Sequence, residues 1–104
     1  MKTIITAQEA SPESKLDSRF GRCAFFCLHD STDGQITFIQ NEFKDAQGGA
    51  GTKVVEKLLT MKVDRIISGD FGPKAKDILD KFKIQLVKIH DDQKTIKEII
   101  STLK

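Results

Sequence analysis

Between residues 63 and 103 the chain alternates twice between a short apolar run and a segment of helical periodicity, and this alternation narrows the possible folds most. Residues 63–68 (VDRIIS) and 84–89 (IQLVKI) read as strands. Gly69-Asp70-Phe71-Gly72 breaks the first of them, and Pro73 suits the opening turn of a helix, where a missing N–H loses no partner. Ala75, Ile78, Leu79 and Phe82 then share one face of that helix. Thr95-Ile96-Lys97-Glu98 has capping-box spacing, ahead of Ile99, Ile100 and Leu103 on the buried stripe of a last helix. Strands joined through helices in this way lie parallel, with right-handed crossovers.

The N-terminal half adds three strands and one helix. Residues 2–7 carry the apolar pair Ile4-Ile5 and read as a strand. Residues 8–22 are polar, contain Pro12 and Gly21, and show neither period, so they form a loop long enough to suggest a functional role. Residues 23–29 and 35–40 read as a hairpin around the turn chemistry of Asp30-Ser31-Thr32-Asp33-Gly34. Val54, Val55, Leu58 and Leu59 predict a helix over residues 52–62. The expected order is βββαβαβα in a single domain, residues 1–104. The first, fourth and fifth strands lie parallel and the hairpin forms an antiparallel edge. The mixed five-stranded sheet is therefore ordered 3-2-1-4-5, with three helices distributed over both faces. This α/β three-layer topology is that of the ribonuclease H-like fold.

Several function classes are set aside by the same residues. Seventeen basic against fifteen acidic residues leave a net charge of +2, spread along the chain, which gives nucleic acid no footprint. The first seven residues lack the pattern of a secretory signal, and no apolar run approaches the roughly 18 residues of a membrane span. A cytoplasmic location follows, where Cys23 and Cys27 stay reduced. Gly48-Gly49-Ala50-Gly51-Thr52-Lys53 lacks the spacing of a phosphate loop. Two-metal nuclease chemistry needs converging carboxylates, yet the central strand, residues 2–7, holds no Asp or Glu. The chain is expected not to be an enzyme.

Topology also predicts where a ligand would sit. With the first strand running upward, the 8–22 loop, the Gly48–Gly51 loop, Gly69–Gly72 and His90 all fall at one edge, along with three helix N-termini. Unpaired N–H groups at such termini favour an anion. Arg19, Arg22, Lys53 and Lys74 add charge there. Cys23 and Cys27 are four residues apart on the expected strand, on the same side and about 13 Å apart, too far to bridge or to share one metal ion. Cys27 is expected to be a small buried hydrophobe. Cys23, beside Arg22, is the thiolate candidate, and Cys23 and His90 are the candidate metal ligands.

Several segments together resemble the dinitrogenase iron–molybdenum cofactor biosynthesis family. These are Ser14-Lys15-Leu16-Asp17-Ser18-Arg19-Phe20-Gly21-Arg22-Cys23 through Phe26, then Asn41, Gly49-Ala50-Gly51, Val63-Asp64-Arg65-Ile66-Ile67-Ser68-Gly69 and Gly72-Pro73-Lys74-Ala75. The resemblance covers nearly the whole chain. It implies a non-enzymatic carrier or accessory protein for an iron–molybdenum cofactor or iron–sulfur cluster, with partner proteins in cluster assembly. Topology and resemblance together nominate Ser18, Arg19, Phe20, Gly21, Arg22, Cys23, Gly49, Gly51, Thr52, Gly69, Asp70, Gly72 and Lys74 as cofactor-binding residues. In the family a histidine directly before the Phe-Gly pair is implicated in binding. Arg19 stands there in this chain, and a guanidinium holds an anion by charge and hydrogen bonds rather than by ligating a metal. The alternative is a regulatory or protein-interaction module without a cluster, presenting Leu16 and Phe20 of the 8–22 loop to its partner.

Overall fold

The computed structural model describes residues 1–103. Its elements follow the expected order: β1 (Lys2–Ala7), β2 (Phe25–Asp30), β3 (Gln35–Gln40), α1 (Ala50–Thr60), β4 (Arg65–Ser68), α2 (Pro73–Lys81), β5 (Gln85–Lys88) and α3 (Ile96–Ser101). One five-stranded sheet runs β3-β2-β1-β4-β5. β1 pairs antiparallel with β2 (Ile5 opposite Cys27) and parallel with β4 (Ile4 opposite Ile66), while β4 and β5 pair parallel. Thr3 to Ala7 of the central strand are buried, because helices or loop cover both faces there.

On one face, Val54, Val55 and Leu58 of α1 and Ala75 and Leu79 of α2 pack over Ile4, Phe26 and Ile66. On the other, Ile96 and Ile99 of α3 meet Ile5, Cys27 and Ile67. The capping box expected at Thr95 is formed: Glu98 N–H donates to Thr95 Oγ1 at 3.1 Å and Thr95 N–H to Glu98 Oε1 at 3.2 Å. α1 starts two residues earlier than periodicity implies, since Gly49, at φ 67, turns the chain into the helix. Lys62 and Lys83, at φ 57 and 59, turn it out of α1 and α2.

The 8–22 loop is tied down at both ends. Leu16 bridges to Ala7 and Lys15 to Thr95, and Arg19 bridges to Asp70. Leu16 and Phe20 are buried, which corrects the expectation that they face a partner. Phe20 lies against Phe71 with ring centroids 5.5 Å apart. β2 begins at Phe25, so Cys23 precedes the strand. It joins the core on the α1–α2 face, whereas Cys27 faces α3. The two thiols thus lie on opposite sides of the sheet, where strand spacing placed them on one.

Candidate functional site

The ends of β4 and β5 and the starts of α1 and α2 surround a cleft of about 700 Å³ at the carboxyl edge of the parallel strands. Open α/β sheets hold ligands at this edge. Ser18, Arg19, Phe20, Gly21 and Arg22 line it from the loop. Gly49 to Thr52 come from the start of α1, Gly69 to Ala75 from the β4–α2 connection, and Ile89, His90 and Asp92 from the chain after β5. Of the residues nominated from sequence, all but Cys23 reach this cleft.

Close backbone packing builds the floor. A Cβ on Gly21 would stand 2.8 Å from Gly51 N, and one on Gly69 would stand 2.7 Å from Ser18 Cα. Only a hydrogen at these two positions lets residues 18–21 wedge between α1 and the end of β4. Asn41, buried, clamps the segment from outside: its Nδ2 donates to Gly21 O at 3.0 Å and to Cys23 O at 2.9 Å. Spacing alone does not reveal this contact, because Asn41 reaches the segment from the end of β3.

Two helix N-termini open onto the cleft. The first intrahelical bond of α1 runs from Lys53 N–H to Gly49 O, and that of α2 from Lys76 N–H to Gly72 O. The N–H groups of Ala50, Gly51 and Thr52, and of Lys74 and Ala75, therefore have no partner within their helices. Neither N-cap supplies a side chain and neither first turn holds an acid. The expected third terminus does not contribute. Besides its own capping box, α3 donates Ile96 N–H to Ser14 O and Lys97 N–H to Pro12 O, both at 2.8 Å, so its first turn is already satisfied.

The charge at the rim is more balanced than the sequence suggested. Arg19, Arg22 and Lys74 face two carboxylates, Asp70 and Asp92, and Lys53 lies outside the lining. Arg22 is anchored, its Nη1 donating to Lys44 O at 2.9 Å and to Ala46 O. Asp70 has a long contact with Lys88, 3.9 Å. Arg19 is paired with Asp17 at 3.1 Å, and this hydrogen-bonded carboxylate raises the guanidinium's pKa further. Asp17 was legible only as a loop residue, yet it is 4% exposed.

Cys23 needs correction as a metal ligand and thiolate. It is fully buried, donates to Phe20 O at 3.5 Å, and burial pushes its pKa up to about 12. Arg22, next in sequence, points to the 44–46 turn instead and does not activate it. His90 is at the rim and exposed. Among the described residues no group of three His, Cys, Asp or Glu side chains is placed to hold a metal ion. The donor set fits a preformed anion held by N–H groups and guanidinium, and does not fit a cluster assembled on protein thiolates.

Fold and cleft define a small α/β domain in which two helix starts open onto a cleft at the carboxyl edge of a mixed sheet. The profile of the family described as dinitrogenase iron–molybdenum cofactor matches residues 1–104, and the chain belongs to that family. An uncharacterized protein of Methanocaldococcus jannaschii is 30% identical over an alignment of 78 residues that covers 72% of this chain and 66% of that one. The chain thus spans just under two thirds of that relative's length. The apo form of the orange protein from Desulfovibrio gigas superposes with a TM-score of 0.88 at 23% identity, covering 96% of this chain and 83% of that one. The NMR structure of the Thermotoga protein TM1290 superposes at 0.80 and 25% identity, covering 96% and 84%. No helix among the described residues is long and apolar enough to cross a membrane.

Proposed function

We propose that this chain is a non-enzymatic carrier or accessory protein that holds an anionic metal–sulfur cluster, of iron–molybdenum or iron–sulfur type, as cargo. One observation carries the reading: uncapped N–H groups of two helix starts and the exposed Arg19 side chain share one cleft of about 700 Å³. Family membership supports the choice of guest. Such a cargo would be gripped from outside, by N–H groups of residues 50–52 and 74–75 and by the guanidinium of Arg19, with His90 as the one imidazole in the lining. A cytoplasmic site of action suits two reduced thiols. The strand order supports kinship with ribonuclease H-like domains.

A second reading, a regulatory or protein-interaction module without a cluster, draws on the absence of a metal-holding side-chain group among the described residues. An anaerobic titration separates the two. The protein is titrated with tetrathiomolybdate and with a reconstituted iron–sulfur cluster while amide NMR shifts are followed. The carrier reading expects shifts at residues 19–22, 49–52 and 69–75. Unmoved resonances at those positions with both guests would leave only the interaction module.

A further inference from the structure

We infer, building on the proposed function, that Asp17 is a positioning residue which fixes the Arg19 guanidinium at the rim, so that the cleft selects its guest by aimed donors and not by net charge. The Asp17 carboxylate accepts three bonds from Arg19. Oδ1 takes the backbone N–H at 3.0 Å and Nε at 3.1 Å, and Oδ2 takes Nη2 at 3.1 Å. The fork holds a side chain that is 65% exposed against a carboxylate that is 5% exposed. Its N–H groups on Nη1 have no partner among the described residues.

The main chain that carries this carboxylate is itself immobilised, and the carboxylate is buried. Asp17 N–H donates to Thr6 O at 2.9 Å, and Asp17 O accepts from Thr6 Oγ1 at 2.6 Å. Thr6 Oγ1 lies 2.9 Å from Ser68 Oγ, and both residues are fully buried. Arg19 is thereby tied to the ends of β1 and β4, the two central parallel strands. It forms part of the wall between the large cleft and a smaller polar one of about 350 Å³, which Gln8, Asp17 and Asp92 also line. Holding the long side chain before a guest arrives lowers the ordering cost of binding.

The charge balance makes the inference testable by sign. Arg19, Arg22 and Lys74 are matched one for one by Asp17, Asp70 and Asp92. Asp17→Asn removes one negative charge and raises the net charge of this set by one, so attraction by net charge would tighten an anion. Positioning requires the opposite.

The test is anaerobic titration of the full chain with tetrathiomolybdate, comparing wild type with Asp17→Asn and Arg19→Lys. Arg19→Lys alters an exposed side chain, keeps the charge and removes the fork. It stands in should Asp17→Asn fail to fold. Both variants are expected to weaken binding by on the order of tenfold. In an Arg19→Ala background, Asp17→Asn is expected to cause no further loss. Binding by Arg19→Lys and Asp17→Asn that equals or exceeds wild type would overturn the positioning role while leaving the carrier reading intact. A wild type that binds no tetrathiomolybdate would overturn both.

Discussion

Gly69 faces Ser18 with no space between them: a Cβ on Gly69 would stand 2.7 Å from both Cα and Cβ of Ser18. Such a separation forces backbone to move. Gly69→Ala and Gly21→Ala are therefore expected to lower stability by about 1–3 kcal/mol, read from urea unfolding midpoints at constant slope. Gly51 shares the second contact but behaves oppositely. Gly51 lies in α1, and a Cβ there would meet Ala75 Cβ of α2 at an ordinary 3.6 Å. Gly51→Ala is expected to raise stability by about 0.5–1 kcal/mol. Loss of stability in Gly51→Ala would contradict this geometry.

The helix exits offer a second stability test. Lys62 and Lys83 hold left-handed conformations in which a side chain is unfavourable by about 1–2 kcal/mol relative to glycine. Lys62→Gly and Lys83→Gly should each raise the melting temperature by a few degrees, roughly 4–8 °C per kcal/mol for a chain of this size. Unfolded-state entropy reduces the gain.

Asn41 reports on the clamp behind the cleft. Asn41→Ala removes the donor shared by Gly21 O and Cys23 O in a buried position. The expected loss is about 1–3 kcal/mol. Amide exchange should rise locally over residues 20–24. An unchanged exchange pattern there would show that the clamp is dispensable.

The thiols give a pH prediction. Burial raises both Cys23 and Cys27 from 9.0 to about 12, so the folded chain keeps protons that the unfolded chain releases. Their contribution to stability is complete below about pH 9 and is lost as pH rises from there toward 12. Each thiol accounts for up to about 1.4 kcal/mol per pH unit in that window. Unfolding free energies measured from pH 8 to 10.5 should fall more steeply for wild type than for Cys23→Ala or Cys27→Ala. Alkylation by iodoacetamide at pH 8 should require unfolding. Rapid labelling of the native protein would contradict the burial of both thiols.

The strand order was legible because Gly69–Gly72, Pro73 and the Thr95–Glu98 box mark element boundaries through local chemistry. The placement of Cys23 was not. Counting a period of two back from Cys27 assumes that the strand continues, whereas the chain turns before Phe25 and carries Cys23 to the opposite face. Leu16 and Phe20 looked exposed because an irregular loop has no period, and their burial comes from long-range contacts with Ala7 and Phe71. The cleft lining was largely readable from topology, since strand ends and helix starts must share an edge. The roles of Asp17 and Asn41, and the silencing of the α3 terminus by Ser14 and Pro12 carbonyls, depend on contacts across distant segments.

The glycine seams beneath the cleft divide what an engineer could vary from what must stay. Bulk added at positions 21 or 69 collides with main chain, so the bowl cannot be reshaped from below without loosening the molecule. Arg19, Lys74 and His90 are exposed and project from the edge. Retargeting this scaffold to a guest of different size or charge therefore begins with those three side chains, over a base left untouched.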